Sequence, residues 1–147
     1  MTMERRTVAS CAVFALIFGV AMPSSAWSET LRGTFASPGM AIVVQFDRCD
    51  DNTDTICGTL VWSWEGEDEL SVPFGTVIAP ALRQTDRGWE GHLTDPDSGR
   101  MFRGTVVRAG RDQLILRGCA GPFCTTERWY SLASIQTVIE NLRGRDR

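Results

Sequence analysis

Trp89-Glu-Gly-His-Leu-Thr94, then Asp95-Pro-Asp-Ser-Gly99, then Arg100-Met-Phe-Arg-Gly-Thr-Val-Val-Arg108 is the stretch that decides the fold. The first run alternates, placing Trp89, Gly91 and Leu93 on one face of a strand and Glu90, His92 and Thr94 on the other. The second run is a turn: Pro fixes φ, Asp bonds its own backbone, and Gly accepts positive φ. The third run returns as the partner strand. Together they predict an antiparallel hairpin.

The same punctuation recurs on both sides. Upstream, Leu31–Phe35, Ala41–Phe46 and Cys57–Trp62 read as strands, with a Ser37-Pro-Gly39 turn between the first two. Thr76–Ile78 starts another strand that reaches towards Leu82. Downstream, Gly110-Arg-Asp112 is a turn before strands at Gln113–Gly118 and Thr126–Leu132. Asp50–Asp54 and the acidic Glu65–Glu69 read as solvated loops. Short runs broken by Gly, Pro, Asp and Asn indicate an all-β sandwich or barrel. Sequential hairpins favour an antiparallel meander, and closing it removes exposed strand edges.

Both ends of the chain depart from this pattern. Ile135, Val138, Ile139 and Leu142 recur at the helix period, with Ser134 as N-cap, Arg143 in the last turn and Gly144 as a stop. They predict a short helix over about 134–143, packed on the barrel by that stripe. At the other end, Arg5 and Arg6 precede the apolar run Cys11–Met22, and Ser24 and Ala26 supply small residues for cleavage. That order predicts a signal peptide over residues 1–26, followed by one domain over 27–147. The apolar run is short of the ~20 residues that a membrane span requires. The expected mature domain of about 120 residues can bury about two-thirds of its unfolded surface.

Four cysteines remain after the expected cleavage: Cys49, Cys57, Cys119 and Cys124. An even number in an exported domain predicts disulfides. Three pairings are open; the local one, Cys49–Cys57 with Cys119–Cys124, is preferred because each pair brackets a turn-rich stretch. The competing zinc reading fits poorly, since the spacings do not follow zinc-ribbon patterns. Every basic residue is Arg, and the net charge of −3 leaves no basic stripe for a nucleic acid.

Gly88–Phe102, with Cys57–Trp62 upstream and Leu114–Cys119 and Glu127-Arg-Trp129 downstream, resembles domain-of-unknown-function family 2147. These are small secreted proteins found mostly in Gram-negative bacteria. The resemblance covers about Gly33 to Leu132. It implies a lipocalin-like antiparallel up-and-down barrel of about eight strands, and a role in binding small apolar molecules in the periplasm or outside the cell. Gly33-Thr-Phe35 sits where lipocalins carry Gly-x-Trp at the barrel floor. Here Phe35 replaces that Trp, and Ser131 replaces the Arg expected two places after Trp129. In lipocalins the two stack to close the base, so losing both together is physically coherent.

No residue pattern indicates catalysis. His92 is the only histidine; Glu90 stands two places away on the same strand face, yet a solvent-facing strand histidine is the simpler reading. Asp95 and Asp97 fit turn chemistry better than a paired-carboxylate hydrolase site. Asp50–Asp54 lacks the Gly and Glu that a calcium loop of the EF-hand type needs, since Thr55 and Val61 occupy those places. There is no Gly-x-Ser-x-Gly elbow and no phosphate-cradling loop. The expectation is therefore a non-enzymatic binding protein of the bacterial envelope, without metal or cofactor. It would carry or sense a small apolar or amphipathic ligand, using Trp62, Trp89, Leu93, Phe102 and Trp129 as cavity candidates. The alternative is a structural or protein-interaction module whose tryptophans fill the core.

Overall fold

The computed structural model describes residues 31–50 and 52–145; the expected signal peptide lies outside them. Eight strands follow in chain order: β1 (Gly33–Ala36), β2 (Ile42–Cys49), β3 (Asn52–Ser63), β4 (Val77–Thr85), β5 (Gly88–Thr94), β6 (Met101–Arg108), β7 (Gln113–Ala120) and β8 (Phe123–Ser131). Each pairs antiparallel with the next. β8 returns to β1 through Phe35–Ser131 and Ala36–Tyr130, so the sheet is a closed up-and-down barrel. One helix, α1 (Leu132–Arg145), follows the last strand.

The β5–β6 hairpin forms as the alternation dictates. Trp89 pairs with Val106 and Leu93 with Phe102, and Trp89, Leu93 and Val106 are buried. In the turn, the Asp95 amide donates to the Arg100 carbonyl at 2.9 Å and the Gly99 amide to the Asp95 carbonyl at 2.8 Å. Gly99 takes a φ of 67°, which its missing Cβ permits.

Inside the barrel, large side chains nest over glycines of neighbouring strands. Phe46 lies over Gly58, Leu82 over Gly91, Leu93 over Gly104 and Phe102 over Gly118. Alternating small and large residues is how a small barrel fills its tapering interior.

The two disulfides join Cys49 to Cys57 and Cys119 to Cys124, with Cα atoms 4.9 and 4.1 Å apart. The second links partners that face one another directly across β7 and β8. The first spans a tighter connection than the sequence suggests. The acidic 50–54 stretch is mostly strand, because β3 already starts at Asn52, which pairs with Cys49.

Two expectations for the C-terminal helix are corrected. The helix starts at Leu132, so Ser134 lies inside it and its hydroxyl donates back to the Ser131 carbonyl at 2.8 Å. Beyond Ile135, the apolar stripe does not pack on the barrel. Only the first turn is partly covered, at Leu132, Ser134 and Ile135, while Val138 and Leu142 are 58% and 52% exposed. The later turns leave the stripe uncovered, with Ile139 exposed as well.

The base of the barrel is closed by a residue the sequence reading did not use. Arg108, near the end of β6, places its guanidinium 5.6 Å from the centroid of the Phe35 ring. It also donates to the carbonyls of Arg32 (3.4 Å) and Arg111 (2.6 Å). Phe35 therefore keeps a cation over its ring, supplied by β6 instead of β8; Ser131 is simply its strand partner.

Candidate functional site

The barrel is packed at one end and hollow at the other. Leu31, Phe35, Leu82, Trp89, Val106 and Leu114 are buried in the interior at the packed end and do not line the cavity at the other. At the other end, bounded by the β1–β2, β5–β6 and β7–β8 connections, lies an open cavity of about 640 Å³. That is the size of sites that hold one small molecule, ~300–1,000 Å³. Val44, Phe46, Ile78, Leu93, Phe102 and Leu116 give it a largely apolar wall. Ser37, Asp95, Asp97, Ser98 and Arg100 bring polar groups to its border from the loops.

The mouth is held by specific contacts. Asp95 closes its own turn, its carboxylate accepting from the Asp97 amide at 3.2 Å and the Ser98 hydroxyl at 2.5 Å. Ser71, in the long β3–β4 connection, donates its amide to the Pro96 carbonyl (2.9 Å) and its hydroxyl to the Asp97 carbonyl (2.5 Å). Leu70, Val72 and Phe74 of that connection pack against the core. On the far side, Phe123 stands at the mouth and is 80% exposed, beside the hairpin that Cys119–Cys124 braces.

The five candidate residues divide three ways. Leu93, Phe102 and Trp129 line the cavity. Trp89 points into the barrel but belongs to the packed end. Trp62 points outward and is 37% exposed, contrary to expectation. The cause is a bulge: Val44 pairs with Leu60 but Val43 pairs with Trp62, so Val61 is an extra residue. One extra residue reverses the alternation. Trp62 therefore shares the outer face with Val43, edge-on to Trp64 at 6.3 Å between centroids.

Several lining residues escaped the sequence reading. Phe46, Leu116 and Glu127 follow from strict alternation with residues already placed, Glu127 standing two positions before Trp129 on the same face of β8. Its carboxylate accepts from the Trp129 indole N–H at 3.0 Å, which fixes both groups on the cavity wall. Ile78 and Ala79 are both buried and both line the cavity, which no alternation predicts. The irregular β3–β4 register and the positive φ of Ala81 (55°) account for this.

His92 lies exposed on the outer face of β5, opposite Arg103. Glu90 pairs instead with Arg87, 3.1 Å away.

Residues 33–131 match a family described as an uncharacterised protein conserved in bacteria, DUF2147. The chain belongs to this family. The matched region of this DUF2147 protein starts at the first residue of β1 and ends at the last residue of β8, so it coincides with the barrel. The helix α1 lies outside it. No curated protein and no solved structure matches the chain.

Two features of this DUF2147 chain bear on its surroundings. Its disulfides fit an oxidising compartment. Among the described residues, no helix is long and apolar enough to cross a membrane.

Proposed function

We propose that this DUF2147 protein is an exported, non-enzymatic carrier or sensor that holds one small apolar or amphipathic molecule in the hollow half of its barrel. The observation that carries the reading is the division of the interior. A barrel built only as a scaffold gains stability by filling its centre, since each buried apolar side chain contributes about 1.5–3 kcal/mol. Here about 640 Å³ stays open behind a mouth tied down by hydrogen bonds. The hollow weighs for carriage over a filled interaction module. Export to the periplasm or beyond rests on the charged, apolar and small-residue order of residues 1–26 together with the two disulfides.

The test is titration with N-phenyl-1-naphthylamine, a neutral probe whose fluorescence rises in apolar surroundings. One saturable site is expected. Leu116→Trp, which pushes an indole into the cavity, should abolish that site while leaving the far-ultraviolet circular dichroism unchanged. A non-saturating response, or one that Leu116→Trp leaves intact, would overturn the proposal.

A further inference from the structure

We infer that the cavity selects amphiphiles with a cationic head, an ammonium or quaternary ammonium group on an apolar body, and that Glu127 is the counter-charge. This rests on the carrier reading above and goes further by naming the ligand's chemistry.

The argument starts from the inner face of β8. Phe123, Thr125, Glu127 and Trp129 alternate along that strand, and all four line the cavity. Glu127 is thus a solvent-exposed carboxylate on the wall of an open, otherwise largely apolar chamber. The Trp129 indole holds Oε2 at 3.0 Å. A carboxylate offers about four lone-pair sites, so one indole donor leaves most of its accepting capacity unused.

The neighbouring arginines do not neutralise it from within. Arg117 and Arg128 flank inward residues in sequence and therefore point to the outer face, where Arg128 donates to Gln113 at 2.9 Å. Arg108 is engaged at the base by Phe35 and two carbonyls, away from the cavity lining. Among the lining residues three are acidic, Asp95, Asp97 and Glu127, and Arg100 alone is basic. Asp95 spends its oxygens on its own turn.

A fatty-acid carboxylate entering this mouth meets net negative charge. A cation meets Glu127 directly and finds the aromatic rings of Phe102, Phe123 and Trp129 on the same walls. Carboxylate together with aromatic surface is the arrangement that binds quaternary ammonium groups.

The test uses three amphiphiles with the same ten-carbon chain: decyltrimethylammonium, decyl maltoside and decanoate. Each is titrated calorimetrically into the full protein at low ionic strength, below its aggregation concentration. Decyltrimethylammonium should bind at least about tenfold more tightly than either of the others. Glu127→Gln, which keeps an acceptor for the Trp129 indole, should remove that advantage and leave decyl maltoside within about twofold of its original affinity. Equal or tighter binding of the maltoside or of decanoate overturns the cation assignment and leaves the carrier reading standing. So does an undiminished preference in Glu127→Gln. Failure of all three to bind overturns both. If the variant does not fold, the head-group series on the unaltered protein still decides.

Discussion

Gly104 shows how tightly single residues are specified on the packed side of the hairpin. A methyl group there would fall inside the side chain of Leu93, with the Arg117 carbonyl 3.5 Å away on the other side. Leu93 is 5% exposed and lines the cavity, so the hollow is open space into which it can be displaced. Gly104→Ala should therefore cost about 1–3 kcal/mol, the usual penalty of overpacking, in urea denaturation. It should also weaken probe binding, because the displaced leucine takes ligand space. Asp47 gives a pH test on the outer surface. The Arg48 amide, donating at 2.8 Å, holds its carboxyl below the usual value; slight desolvation opposes this and Arg32, also at 2.8 Å, adds to it. A carboxyl whose pKa is lowered by folding contributes stability at neutral pH and loses it as pH falls through the folded value. Asp47→Asn should thus be less stable than the parent at pH 7, with the two curves converging on acidification. At this scale the sequence was partly legible. Alternation alone places Leu93, Phe102 and Trp129, but Trp62 is misplaced by one bulge residue that no local pattern announces. Arg108 over Phe35 is a pairing between strands far apart in the chain, and only the closed barrel brings it about.

Hairpins were the most legible elements, because turn chemistry and period-two alternation are both local. That is why β5, β6 and the preferred local pairing of the cysteines are legible in the sequence, whereas β4 and the connection before it are not. Val77–Thr85 includes Pro80 and a positive φ at Ala81, and its register to β3 shifts twice. The two disulfides allow a quantitative comparison. They close loops with sequence separations of 8 and 5, for which chain entropy gives about 2.5 and about 2.1 kcal/mol. Removing Cys49–Cys57 as a double serine variant should cost slightly more than removing Cys119–Cys124, by chemical denaturation. The second pair should matter more for binding, since it braces the hairpin carrying Phe123 at the mouth. The helix was legible as a helix but not as a packed one. Periodicity reports which residues share a face; it does not report whether anything covers that face. Truncation after Gln136 removes the exposed Val138, Ile139 and Leu142 and should change stability by under about 1 kcal/mol.

The whole molecule has one thin join. β7 and β8 pair from Gln113–Tyr130 to Ala120–Phe123, but β1 and β8 meet only at Phe35–Ser131 and Ala36–Tyr130. A closed barrel opens first where its ladder is shortest, because local opening there breaks the fewest backbone bonds. Yet this join borders the functional half: Ser37, just past β1, and Trp129, just before the paired end of β8, both line the cavity. Opening the seam therefore dismantles part of the site. A ligand that binds only the closed barrel then resists that opening by RT ln(1 + [L]/Kd), about 2.7 kcal/mol at a hundredfold excess over Kd. Native-state hydrogen exchange tests both steps. Without ligand, amides at Ala36 and Tyr130 should exchange faster than those in the middle of β7. With ligand at a hundred times Kd, the seam amides should slow by up to about a hundredfold. Seam amides as protected as β7 in the free protein would show that closure is not the weak point. Seam amides unaffected by a bound ligand would place the occupied site elsewhere than the hollow between β1 and β8.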